Sequence, residues 1–154
     1  MIKINKQSGF TLIEALISMV ILAIGLLGMA ALQANSLRNN QSAYNRSQAT
    51  QMAYDMSDRM RVNKSVGVNY VSTFMTVAAA TAVASCLTTA SCSAADMAKN
   101  DLFELQTALK TALPRGIASI AVATNLYTIT INWDENRDGV IDTDDPNFTM
   151  SFEL

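Results

Sequence analysis

Hydrophobic and polar positions change period several times along the chain, and each change marks a different element. From Phe10 to Leu32, 23 residues carry a single charge, Glu14. A run of that length spans the ~30 Å hydrocarbon core of a bilayer as one helix. Beyond Leu32 the pattern becomes amphipathic: Leu37, Tyr44, Ala49, Met52, Met56 and Met60 recur at helical spacing, among polar positions that include Arg38, Arg46, Asp55, Asp58 and Arg59. No proline interrupts residues 10 to 62. The spacing therefore predicts one continuous helix of about 50 residues, loosened at Gly25 and Gly28 and stopped at Asn63-Lys64-Ser65-Val66-Gly67. The methionine stripe is expected to pack as core, although such a stripe can also form a soft binding groove.

Residues 68 to 93 are rich in Ala, Ser, Thr and Val and show no helical face, so a connecting loop with a helical turn is expected, with partial order over Tyr70 to Val77. Ser93-Ala94-Ala95-Asp96 has the form of a capping box, with Asp in the place usually held by Glu. A second helix should follow, with Leu102, Leu105, Leu109 and Leu113 as its apolar stripe and Pro114 as its end. Strands should occupy Ile117 to Ala123 and, after a turn at Thr124-Asn125, Leu126 to Trp133, with Tyr127, Ile129, Ile131 and Trp133 on one face. A last strand should place Phe148, Met150, Phe152 and Leu154 together. The sum is an α+β fold, in which an antiparallel sheet and one additional helix lie on the amphipathic half of the long helix.

The order of charge and hydrophobicity at the start is unlike a secretory signal peptide, whose apolar run precedes its cleavage site. Here the polar leader, with Lys3 and Lys6, ends at Gly9 directly before the apolar run. Gly9-Phe10-Thr11-Leu12-Ile13-Glu14 resembles the prepilin processing site of type IV pilins and type II secretion pseudopilins. The resemblance implies cleavage after Gly9 by prepilin peptidase and methylation of the new amino terminus at Phe10. It also implies pairing of Glu14 with the terminal amine of a neighbouring subunit during assembly. Physics independently marks Glu14 as unusual, because a carboxylate within hydrocarbon costs roughly 2.5–3.5 kcal/mol and calls for a partner. Its other reading is a helix-start carboxylate favoured by the helix dipole.

Domain boundaries follow from that resemblance: a leader over 1–9, a transmembrane and assembly half of the helix over 10–32, an amphipathic half over 33–64, and a periplasmic or extracellular head over 65–154. The pilin fold it implies agrees with the α+β reading of the residues. In an exported head, Cys86 and Cys92 are expected to form a short disulfide, the alternative being two free thiols in a loop. With no further Cys and no His in the chain, they lack the partners for a zinc site.

A second signal lies between the last two strands. Counted from Asp134, the segment to Asp145 has oxygen-bearing side chains at positions 1, 3, 5, 9 and 12, with Gly139 at position 6 and an apolar residue at 8. This is the order of an EF-hand calcium loop, which makes Asp134, Asn136, Asp138, the Val140 carbonyl, Asp142 and Asp145 candidate Ca²⁺ ligands. Asp145 stands where Glu is usual, and strands rather than helices flank the loop. The alternative is a solvated acidic hairpin loop with an Asp-Gly turn.

Composition narrows the function classes. The formal charge is −2, and removal of the leader lysines takes it to −4, which gives no footprint for nucleic acid. The absence of His removes the commonest general base, and no nucleophile-base constellation is apparent, so a non-enzymatic role is expected. Within the superfamily, Glu14-Ala15-Leu16-Ile17-Ser18, Ala23-Ile24-Gly25-Leu26-Leu27-Gly28, Asn45-Arg46-Ser47-Gln48-Ala49 and Tyr54-Asp55-Met56-Ser57-Asp58-Arg59-Met60-Arg61 resemble PilV-type minor pilins, as does Leu105-Gln106-Thr107-Ala108-Leu109. That resemblance implies a subunit that starts or caps a pilus alongside other minor pilins and the major pilin. It also implies a single-pass start in the bacterial inner membrane, with the head in the periplasm, before the subunit reaches the pilus. A type II secretion pseudopilin and a membrane-anchored calcium-binding adhesin are the competing readings.

Overall fold

The structure, a computed structural model, describes residues 11–75, 81–88 and 92–154. Helix α1 runs over Leu12–Val62 as a single 51-residue element, passing through Gly25 and Gly28 without interruption. Two isolated glycines are therefore absorbed by the surrounding helix formers; each adds only about 1 kcal/mol of helix cost relative to alanine. A 3₁₀ turn over Lys64–Tyr70 follows, at the expected stop. Strand β1 (Ser72–Met75), a 3₁₀ turn over Ala84–Leu87, helix α2 (Ala94–Ala112) and strands β2 (Ile117–Ala123), β3 (Leu126–Asn132) and β4 (Asn147–Glu153) complete the chain.

The chain divides between Gln41 and Ser42 into two compact units. In the first, every described residue of α1 is solvent-exposed, and the large apolar side chains from Leu12 to Leu32 lie open.

In the second unit the four strands form one antiparallel sheet in sequence order. The β3–β4 register sets Tyr127 opposite Phe152, Ile129 opposite Met150 and Ile131 opposite Phe148, so the two alternating strands put their apolar sets on one face. That face carries Ala118, Ile120, Tyr127, Ile129, Ile131 and Phe152, and the helices bring Ala49, Ala53, Met56 and Met60 of α1 and Leu102, Leu105 and Leu109 of α2 into the same core. Trp133 and Met56, both fully buried, belong to the same core. Leu37 and Tyr44, expected on the packed stripe, are instead exposed. Burial on α1 begins at Asn45, whose amide serves a buried polar contact described below.

Helix α2 starts as the capping pattern requires: the Ser93 Oγ accepts from the Asp96 N–H at 3.1 Å. The same hydroxyl donates to the Asp96 carboxylate at 2.8 Å, so Asp96 caps through the serine side chain and not through its backbone N–H. A polar cluster joins α2 to the end of α1. Arg59 reaches Asp55 of its own helix and both Asp101 and Glu104 of α2, while the Tyr70 hydroxyl donates to Asp101 at 2.6 Å and accepts from Asn63 at 3.0 Å. Burial, and then the bond to Asp101, push the Tyr70 hydroxyl above its ordinary range.

Strand β1 is the element the amino-acid pattern did not specify. Its four residues carry too little alternation to read, and it is held as an edge by antiparallel pairing of Ser72 with Ile120 and Met75 with Ala118.

Gly116 marks where α2 hands the chain to the sheet. A Cβ there would lie 2.8 Å from the Leu109 carbonyl oxygen, a backbone wall, whereas at Gly67 it would meet the Tyr127 hydroxyl and the Leu154 side-chain end at 2.7 Å. Flexible side-chain ends yield more easily than backbone. Urea unfolding of the detergent-solubilised chain, followed by Trp133 fluorescence, should therefore show Gly116→Ala losing roughly 3 kcal/mol and Gly67→Ala roughly 1 kcal/mol.

Candidate functional site

Gly9 and Phe10, the expected processing position, lie outside the described residues. Glu14 is described, in the first turn of α1, where its N–H donates to the Thr11 carbonyl at 3.1 Å. Its side chain is exposed, as are the apolar residues that follow it. The helix contains an 18-residue stretch long and apolar enough to cross a membrane, and none of that stretch is buried within the protein. Contiguous apolar surface of this extent marks an interaction site rather than a solvent-facing surface. Glu14 is the one carboxylate available to a partner along it.

In the head, Cys86 and Cys92 are joined by a disulfide with a Cα–Cα distance of 4.9 Å. The bond lies immediately before α2 and matches the expected pairing of these two cysteines.

The segment between β3 and β4 folds as a cinched loop. At its base, Asp145 accepts from the backbone N–H groups of Glu135 at 2.9 Å and Asp142 at 3.2 Å, while Asp134 Oδ2 accepts from Gly139 at 2.9 Å. Gly139 has φ = +93°, the left-handed turn its position was expected to require. Asn136, Asp138 and Asp142 each turn an oxygen onto a backbone N–H two residues ahead. Asp134 and Asp145 are buried, and Asn136, Asp138, Val140 and Asp142 are exposed. Among the described residues no three acidic or cysteine side chains are gathered closely enough to hold a metal ion. The four expected aspartate ligands, Asp134, Asp138, Asp142 and Asp145, thus share one loop without three of them gathering at one point.

Glu135 does something its place in the sequence did not suggest. Its carboxylate accepts from the Asn45 amide at 2.9 Å and from the Trp133 indole N–H, and so clasps the start of the acidic loop to α1. Burial raises its pKa, but hydrogen bonds from Asn45, Trp133 and Ser42 and the nearby Arg46 charge outweigh that, and the carboxyl is held below its ordinary range. The signal was present in the sequence: a buried Trp needs an acceptor for its indole, and Glu135 occupies a position of the loop that the calcium pattern leaves unassigned.

A helix with an uncovered apolar first part and a lone carboxylate, leading into an α+β head with four antiparallel strands and a second helix, defines a pilin-type subunit with a hydrophobic anchor. Residues 4–30 match the prokaryotic N-terminal methylation motif, and residues 31–103 match the family described as Type IV pilin Tt1218. Together these matches and the fold support a place in the type IV pilin superfamily. No curated protein and no solved structure matched it.

Removing the Glu135 carboxylate takes the acceptor from the fully buried Trp133 indole and breaks the charge-assisted hydrogen bonds from Asn45 and Ser42. Glu135→Ala should therefore lower the unfolding free energy of the whole chain by about 2–4 kcal/mol in denaturant titrations. Glu153→Ala, at an exposed strand end, should stay within about 0.5 kcal/mol of the parent.

Proposed function

We propose that the chain is a minor type IV pilin of the PilV type. It is cut after Gly9, methylated at Phe10, held in the bacterial inner membrane by the first part of α1 with its head in the periplasm, and then drawn into a pilus. The observation that carries this reading is the uncovered apolar surface of α1 with Glu14 near its start, lying inside a matched methylation motif. Packed among the helices of neighbouring subunits, that surface is buried without any further chemistry. Glu14 then meets the one cation that processing creates at similar depth, the terminal amine of another subunit, and the pairing sets register. Domain roles follow the sequence reading: leader 1–9, assembly helix 10–32, amphipathic helix 33–64 and head 65–154.

The role is mechanical and combinatorial. Other minor pilins and the major pilin are the partners, with the head selecting neighbours and the helix supplying the common packing. Loss of the subunit reduces piliation and twitching motility without altering the turnover of any metabolite. A type II secretion pseudopilin shares the amino-terminal motif, and a membrane-anchored adhesin has no use for it. Fibre incorporation separates the three.

Immunoblots of sheared surface fibres and of membranes should find the parent chain in both fractions. A Glu14→Leu variant should be processed and membrane-bound as before, yet fall by about tenfold or more in the fibre fraction, the factor that loss of 1.4 kcal/mol of pairing energy produces. Parent protein confined to the membrane fraction would contradict the pilus reading, and undiminished fibre content of the variant would contradict the role given to Glu14.

A further inference from the structure

The cinched loop between β3 and β4 contains one atom that its own hydrogen bonds leave unexplained. Asp134 is 2% exposed, its Oδ2 accepts from Gly139, and its Oδ1 is buried with no hydrogen-bond partner. An ionised carboxylate oxygen has capacity for two acceptor contacts, and leaving it dry and unpaired is costly. Its companion oxygen is tied into the loop through the Gly139 N–H. This bare oxygen belongs to the first residue of a segment whose oxygen-bearing side chains follow calcium-loop order. Two independent observations, the ligand order and the orphaned buried oxygen, therefore meet at one residue.

We propose that residues 134–145 bind Ca²⁺, with Asp134 Oδ1 as the fixed ligand and Asn136, Asp138, Asp142 and the Val140 carbonyl drawn in around the ion. Asp145 holds the loop shut through the Glu135 and Asp142 N–H groups and keeps lone pairs on both oxygens for the cation. The donor set is all oxygen, which suits a hard cation and disfavours zinc or copper. A loop of single-residue ligands tolerates the larger, irregular shell of Ca²⁺ better than the strict octahedron of Mg²⁺. The loop carries six acidic residues and only Arg137 to offset them, so a divalent ion also relieves repulsion among them.

Occupancy would be felt across the head. The Asp134 N–H donates to the Pro114 carbonyl at 2.9 Å, at the junction of α2 and β2, and the adjacent Glu135 is clasped to Asn45 of α1. An ion on Asp134 therefore stabilises the point where the two helices and the sheet are tied together, beyond ordering a surface loop. This inference does not depend on whether the chain enters a pilus.

The test uses the full chain in detergent micelles. Terbium, a luminescent stand-in for Ca²⁺, is excited through Trp133, the single tryptophan and the immediate neighbour of Asp134. Sensitised emission should develop and be displaced by Ca²⁺ at about 10⁻⁴ to 10⁻³ M, the range of extracellular calcium modules. At about 10 mM Ca²⁺ the melting temperature should rise by about 4–8 °C over an EGTA control, and by much less with equal Mg²⁺. The double variant Asp138→Asn with Asp142→Asn changes exposed residues only, so it should fold as the parent does in EGTA while binding Ca²⁺ at least about tenfold more weakly, the effect of removing two charged ligands. Absence of sensitised terbium emission, equal shifts with Ca²⁺ and Mg²⁺, or unchanged affinity in the double variant would each overturn the proposal.

Discussion

The structure turns on apolar surface that the chain does not cover by itself. From Leu12 to Leu32 the side chains of α1 are exposed, and burying a large apolar side chain is worth about 1.5–3 kcal/mol. Summed over a dozen such residues, the drive to place this surface against lipid or against other helices exceeds the stability of an ordinary domain. A separate consequence follows for the head, whose core must be complete without that part of the helix. It is: burial on α1 starts at Asn45 and ends at Met60, and the sheet and α2 supply the remainder.

Within the head, polar contacts fix what apolar packing alone leaves loose. Apolar stripes on α1, α2 and the sheet are permissive about sliding, because neighbouring leucines and methionines exchange at small cost. The Glu135 carboxylate, receiving Asn45 from α1 and Trp133 from the strand side, is not permissive, since a slip would take the fully buried Trp133 indole from its acceptor. The Arg59, Asp101 and Tyr70 cluster does the same between α1, the 3₁₀ turn and α2. These two polar ties stand at different places along the packed part of α1, and between them they specify how the helix lies on the head.

Much of this was legible in the residues because the periods were long and clean. The 51-residue helix, the Leu102, Leu105, Leu109 and Leu113 stripe, the Ser93 cap and the alternation of Tyr127, Ile129, Ile131 and Trp133 all match elements of the fold. The disulfide between Cys86 and Cys92 also formed as expected. What stayed illegible has physical causes. Strand β1 is too short for alternation to rise above background, and its order comes from pairing with β2. Leu37 and Tyr44 fit the helical stripe by spacing, but they precede the point where the head's core begins on α1. Glu135 read as one more charge in an acidic loop because its partners lie 90 residues away on α1 and on a neighbouring tryptophan. The loop itself was legible as a ligand order, while the orphaned oxygen of Asp134 is a three-dimensional fact that spacing does not contain.

If the uncovered helix is an assembly surface released by processing, the mature chain must begin at Phe10. Mass spectrometry of the chain recovered from sheared fibres and from membranes should find a first residue of N-methylated Phe10 in both, with the leader to Gly9 gone. Recovery of the chain with residues 1–9 still attached would contradict release of the helix by processing.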